Sequence, residues 1–185
     1  WCWAFQPAAT AFAFEFRDLV RVRHVMGGLR DRPADDAGFV VQQWKKAESL
    51  SGMPFETGMW ARHTLETTFT ACRAVKAAAI IDEHAATKLL RRLREAYFTE
   101  QIPIDSLEHV LTLAIEVGLS KDALCENIAS GRAEELFARD RAEAEQAGFG
   151  FPTIVIVTKT QEAPTVLQGD AVVAVAKEGV RARGQ

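Results

Sequence analysis

A chain of 185 residues with 48% hydrophobic content is long enough for one domain, or one domain carrying an insertion, with an ample core. Its formal net charge of -3, with acidic and basic residues interspersed, offers no basic stripe to neutralise phosphates and argues against nucleic acid as a partner. No run nears the roughly eighteen apolar residues needed to cross a bilayer, and no charged start followed by an apolar stretch marks a secretory signal.

The chain opens Trp1-Cys2-Trp3-Ala4-Phe5-Gln6-Pro7, a cysteine between two indoles at the mouth of a predicted helix. Backbone N–H groups at a helix opening lack partners and point outward, so a thiol held in such a place meets positive potential that favours the reactive thiolate. Residues 4–17 are predicted helical, because Ala8, Ala9, Ala11 and Ala13 favour it and Phe5, Phe12 and Phe16 fall on one face. Pro7 falls early enough to be tolerated or to bend the first turns. From Leu19 to Met26 the chain alternates, with Val20 and Val22 on one side and Arg21 and Arg23 on the other, and Gly27-Gly28 ends it. That pattern predicts a strand.

Residues 31–38 turn to Asp, Arg, Pro and Gly, the composition of a linker. Beyond this linker the chain is predicted helical for over a hundred residues. Helix 39–50 closes at Ser51-Gly52, a connection containing Pro54 comes next, and helix 64–81 carries Leu65, Phe69, Cys72 and Val75 on one face. Helix 83–99 turns Leu89, Leu90, Leu93 and Tyr97 inward and Lys88, Arg91, Arg92 and Arg94 outward to solvent. Asp105-x-x-Glu108 has the form of a capping box before an apolar run ending at Gly118. A short helix containing Cys125 runs from Ser120 to Gly131, and a charged one over 133–147 stops at Gly148. The segment from Phe149 to Val157 returns to strand as an apolar run of the kind buried on both faces, with Pro152 near its start. A turn over 161–164, a short strand over 165–167 and an apolar helix capped by Asp170 and stopped by Gly179 complete the order.

Three cysteines, Cys2, Cys72 and Cys125, form an odd set with wide, dissimilar spacing, which argues against a secreted disulfide framework. His24, His63, His84 and His109 are scattered, and no metal-binding spacing joins them to the cysteines. Cys72 and Cys125 read as structural residues.

Trp-Cys-Trp followed by a small residue, Phe and a nearby Pro resembles the active-site helix of the DsbA-like, thioredoxin-fold oxidoreductases, in particular the FrnE-like branch. Gly150-Phe151-Pro152-Thr153, with β-branched residues after it, resembles the cis-proline loop of that group. Met26-Gly27-Gly28-Leu29, Ser51-Gly52-Met53-Pro54-Phe55, Ala71-Cys72-Arg73-Ala74-Val75 and Glu95-Ala96-Tyr97-Phe98 agree with it in order and spacing. The resemblance implies an α/β chain: a thioredoxin-like domain made of 1–30 and 148–185, interrupted by an all-helical insertion over 31–147. It also implies a first strand, and a first cysteine two positions before Trp1, that this chain does not contain, as in an N-terminal truncation.

The activity implied is that of a thiol-disulfide oxidoreductase or protein disulfide isomerase. Cys2 would be the catalytic, resolving cysteine, and Trp1, Trp3, Phe151, Pro152 and Thr153 would contact substrate, with the backbone at Phe151 pairing an extended substrate strand. The resemblance implies no metal, no cofactor beyond glutathione as a candidate co-substrate, protein or small thiol and disulfide substrates, no membrane partner and a cytoplasmic location. With Cys2 alone a mixed disulfide can form, but an external thiol must resolve it. Two other readings stay open. One is a glutathione-dependent transferase or isomerase, similar to the kappa-class transferases and hydroxychromene-carboxylate isomerases. The other is a non-enzymatic adaptor that hands a client to a protease.

Overall fold

Alanine and leucine crowd the middle of the sequence, and the helices stand there. The structure is a computed structural model describing residues 1–148, 150–157 and 164–168. Its elements run α1 (Cys2–Glu15), α2 (Ala37–Ser51), α3 (Met59–Arg62), α4 (Phe69–Ile81), α5 (Glu83–Thr99), α6 (Leu107–Glu116), α7 (Lys121–Ala129), α8 (Arg132–Ala147), β1 (Thr153–Ile156) and β2 (Thr165–Gln168). They divide into two compact units. One is formed by 1–23, 42–54 and the described part of 148–185, the other by 24–41 and 55–147.

In the larger unit α4 is the hub, touching α5, α6, α7 and α8. Its inward face is Ala71, Ala74, Val75, Ala77 and Ala78, and small side chains let the neighbouring helix axes come close. Larger side chains fill the spaces between: Phe137, Leu89, Leu124 and Val110 are wholly buried. The segment ahead of α2 is fastened to this bundle at three points. The Met26 N–H donates to Asp140 Oδ2 at 2.7 Å, and Lys76 Nζ meets the same oxygen at 2.9 Å. Gly28 adopts φ +67°, where a Cβ would stand 2.7 Å from Phe69 and 2.8 Å from Phe137, whose rings meet edge-on at 5.0 Å. The Arg30 carbonyl accepts from the Thr68 N–H and from the hydroxyls of Thr67 and Thr68.

Several elements depart from the sequence-based expectation. The strand predicted over 19–26 is not formed: residues 20–28 carry no regular secondary structure, and Leu19, Val20 and Val22 are 82%, 37% and 49% exposed. Alternation makes a strand only beside a ladder partner, and among the described residues the sheet holds β1 and β2 alone. The helix predicted from residue 64 begins at Phe69 because Thr67 and Thr68 turn to Arg30, with the Thr67 hydroxyl accepting from the Phe69 N–H. The short α3 occupies a stretch read as connection.

The predicted capping box does not close. Ser106, not Asp105, precedes α6, and Asp105 Oδ2 instead accepts from the Glu66 N–H at 2.9 Å and meets His63 Nε2 at 2.8 Å. Helix 83–99 holds at both ends, with Asp82 accepting from the Ala85 N–H as N-cap. Arg92, however, is drawn out of solvent: its guanidinium reaches both Glu100 oxygens at 2.7 and 2.8 Å and Glu116 at 2.7 Å, leaving the side chain 18% exposed.

In the smaller unit α1 continues through Pro7, which lacks the N–H that would bond the Trp3 carbonyl. Burial concentrates at the start of that helix, on Trp3, Ala4 and Gln6, while Phe12 and Phe14 lie exposed. The predicted Phe5, Phe12, Phe16 face is therefore not the buried one; Phe12 and Phe16 stack on each other instead. From α2 this unit takes the buried Trp44 and Ala47. β1 and β2 pair antiparallel, with Thr153 opposite Gln168 and Ile156 opposite Thr165. The expected two-sided burial of β1 is not met, since Val155 and Ile156 are 44% and 38% exposed. The two are neighbours in the strand and point to opposite faces, so neither face is fully covered at this end of β1. The turn residues 161–163 and the helix predicted from Asp170 to Gly179 lie outside the described residues.

Two consequences can be measured. Gly28→Ala should destabilise by about 1–3 kcal/mol, read as a lower denaturant midpoint, because the left-handed backbone and the two rings both oppose a Cβ. Burial acts to raise the Asp105 carboxyl, but the bonds from the Glu66 N–H and His63 outweigh it and hold its pKa below the usual carboxylate range. A depressed carboxyl stabilises the fold above its unfolded pKa of about 4 and loses that contribution as pH falls through the folded value. Asp105→Asn should therefore cost about 1 kcal/mol at neutral pH, with the gap from wild type narrowing below pH about 4.

Candidate functional site

Cys2 is the first residue of α1, with Trp1 at the N-cap making no side-chain cap bond and no acidic residue in the first turn. The helix closes its first turn by the Phe5 N–H donating to the Trp1 carbonyl at 3.0 Å. Ahead of that bond the remaining first-turn N–H groups face the cysteine's end of the helix. Cys2 is partly exposed and in no disulfide.

The two indoles beside it differ. Trp3 is 5% exposed, and its ring N–H donates to the Pro54 carbonyl at 2.9 Å, so its bulk anchors the start of α1 in the core. Trp1 is only half-buried, and Lys46 of α2 places its ammonium 5.4 Å from the Trp1 ring centre. A cation over an indole face is attracted by the ring quadrupole. Nothing in the sequence sets Lys46 beside Trp1, because there it is one of two adjacent lysines on a predicted helix. Only the fold sets it against Trp1.

At the other end of the chain, Pro152 is buried, Phe151 and Thr153 are half-buried, and the Phe151–Pro152 peptide bond is cis. Thr153 opens β1, and its hydroxyl donates to the Gly150 carbonyl at 2.6 Å, tying down the turn before the strand. Trp1, Cys2, Trp3, Phe151, Pro152 and Thr153 all belong to the smaller compact unit, although some hundred and fifty positions of sequence part the two groups.

The other two cysteines belong to the larger unit. Cys72 lies in α4 of the larger unit; burial pushes its thiol up to about 11, a rise that a hydrogen bond from the Gly28 backbone only partly offsets. Cys125 is half-buried in α7. His24 is held below the ordinary imidazole range first by burial and then by Arg94, with Lys76 adding and Glu83 opposing. Among the described residues no three His, Cys, Asp or Glu side chains are grouped to hold a metal ion, and no helix is long and apolar enough to cross a membrane.

Comparison with known proteins places this geometry in a wider set. The sequence matches the family described as thioredoxin over residues 1–176. A candidate protein disulfide isomerase from Nitrosomonas europaea superposes with a TM-score of 0.79 at 18% identity, covering 100% of this chain and 93% of that one. The cytosolic disulfide reductase DsbM from Pseudomonas aeruginosa gives 0.76 at 25% identity over 98% of this chain and 94% of its own; it has also been solved with GSH. A curated relative, the ClpXP adapter protein SpxH of Halalkalibacterium halodurans, is 24% identical over 127 residues, 64% of this chain and 42% of that protein. The chain spans about half the length of the curated relatives it matches, 42% to 49%.

The contrast between thiols gives a direct test. With its pKa near 11, Cys72 at pH 7.5 should react with iodoacetamide about a hundredfold more slowly than an unstructured peptide thiol, as read by mass spectrometry of the folded protein. In denaturant that protection should vanish.

Proposed function

The chain belongs to the thioredoxin family, and from that membership we propose that it is a thiol-disulfide oxidoreductase whose reactive group is Cys2. The observation that carries the reading is the placement of Cys2: first residue of α1, partly exposed, flanked by two indoles and free of acidic neighbours in its turn. The thioredoxin-like domain is made of 1–30 and 148–185, and 31–147 form a helical insertion within it.

The chemistry is thiol-disulfide exchange. Cys2 loses its proton to solvent, and its sulfur attacks one sulfur of a substrate disulfide; a new Cys2–S–S–R bond forms as the old bond breaks and R–S⁻ leaves. An external thiolate R′–S⁻ then attacks the R sulfur of the mixed disulfide, forming R–S–S–R′ and releasing Cys2; a second R′–S⁻ displaces the remaining R–S⁻ as R′–S–S–R′ forms, so two external thiols are oxidised for each substrate disulfide reduced. Glutathione is the small thiol of choice for that second step, in keeping with the GSH complex of DsbM. Trp3 fixes the start of α1, Trp1 presents an aromatic face to the incoming group, and the backbone at Phe151, with Pro152 and Thr153, receives an extended substrate segment. The reaction is suited to a reducing, cytoplasmic setting, where a thiol pool supplies the second step.

A second reading has its own support, the similarity to SpxH, a ClpXP adapter protein. On that reading the same surface holds a client without turnover.

The two separate on one variant. Wild-type chain with excess glutathione should reduce a small disulfide catalytically and form a glutathione adduct on Cys2, and Cys2→Ser should abolish both. If wild type forms no adduct and shows no turnover, while Cys2→Ser binds client as wild type does, the oxidoreductase reading falls and the adapter reading stands.

A further inference from the structure

The chain passes into the larger unit at His24, and the strap that begins there is pinned at alternate residues. The Met26 N–H donates to Asp140 Oδ2 of α8, the oxygen that Lys76 of α4 also meets, and Gly28 lies bare against Phe69 and Phe137. Arg30 closes the run: its carbonyl accepts from the Thr68 N–H at 2.9 Å, and its own N–H donates to the Thr68 hydroxyl at 3.1 Å. Residues 24–28 carry no regular secondary structure, so what fixes them is contact with the bundle rather than a ladder or helix of their own. His24, at the head of the strap, is half-buried, with Arg23 beside it exposed. The charges acting on its ring from the bundle are Arg94 and Glu83 of α5 and Lys76 of α4, the last paired with Asp140 of α8. Burial is the largest cause holding His24 below the ordinary imidazole range; Arg94 adds to it, Glu83 opposes, and Lys76 adds less.

We propose that residues 24–30 are an acid-sensitive strap, which comes away from the bundle when His24 takes up a proton. Docked, the strap accommodates a neutral imidazole; an imidazolium there would be partly desolvated with two cations against one carboxylate, whereas release lets it be hydrated. Lys76 does not turn away from it, since Asp140 holds its ammonium on the oxygen that binds the Met26 N–H. Above pH about 6.5 His24 is neutral whether docked or released, and docking has no pH dependence from this group. As pH falls below about 6.5 only the released form gains the proton, so release is favoured until the docked histidine titrates as well. Nothing in the strap depends on the chemistry at Cys2.

Amide exchange of the full chain, followed by NMR and corrected for the intrinsic pH dependence of exchange, tests this. From about pH 7.5 to about pH 5 the opening that exposes the Met26 N–H should rise severalfold, and by no more than about thirtyfold, the limit set by a released imidazole of pKa about 6.5. The Thr68 N–H, bonded to Arg30 at the far end of the strap, should follow it, while Leu93, buried in α5, should keep its protection throughout. His24→Gln, polar but with no proton to gain, should flatten both pH dependences. His63, His84, His109 and every carboxylate remain in that variant, so their titration cancels in the comparison. In wild type the His24 ring should titrate below the range of a free peptide histidine, a readout that needs no variant. Met26 protection that holds to about pH 5, falls equally in His24→Gln, or falls only together with Leu93 overturns the proposal. A His24 ring titrating at or above the free-peptide value does the same.

Discussion

A missing side chain at Gly28 is the constraint on which the larger unit depends. Bare backbone in the left-handed region lies against Phe69 and Phe137, the second of which is wholly buried between α4 and the rest of the bundle. Two residues earlier the Met26 N–H, and from α4 the Lys76 ammonium, share Asp140 Oδ2. Two residues later Arg30 is bonded to the pair of threonines that sets the start of α4. The segment 26–30 is thereby fastened to α8 and α4 at alternate residues. The face of α4 that meets the other helices is the alanine one. The buried Lys76–Asp140 pair adds little net energy by itself, since desolvation offsets attraction, but removing either partner would strand a charge.

Environment divides the cysteines where composition does not. Cys72 is half-buried on α4 within the bundle, and the cost of burying a thiolate raises its pKa to about 11 and keeps it protonated at physiological pH. Cys2 stands at a helix opening, partly exposed, with one indole rooted in the core and the other half-open under a lysine. A sulfur on the first residue of a helix has its position fixed through backbone bonds, and Cys2 keeps part of its surface exposed. Trp3 supplies that rigidity from below, through its ring and its bond to Pro54.

Local chemistry was strong enough to be read directly in much of the chain. The helix at 83–99 was legible to the residue because leucines at helical spacing agree with the tertiary outcome, and the Asp82 cap fixes its start. The stops at Gly118, Gly131 and Gly148, each with positive φ, were legible for the same reason: only glycine adopts that backbone without strain. The thioredoxin resemblance rested on short motifs at both ends and on four segments between them, and the family match over 1–176 and the solved relatives agree with it. Where the reading failed, a distant partner had taken a residue away from its local role. Asp105 had the spacing of a capping box yet bonds Glu66 and His63, and Arg92, read as solvated, binds Glu100 and Glu116. The strand pattern of 19–26 had no neighbouring strand among the described residues to complete it.

Read from the residues alone, the helices over 83–99 and 133–147, the glycine stops and the family were legible, because capping, periodicity and turn chemistry act over a few neighbouring residues. Tertiary structure alone decided that Gly28 seats on two rings, that Asp105 and Arg92 leave their local roles, that Trp3 is rooted while Trp1 stays half-open, and that Lys46 stands over it. Those outcomes depend on through-space contacts between positions tens of residues apart, and nothing in the spacing of a linear chain encodes such a distance.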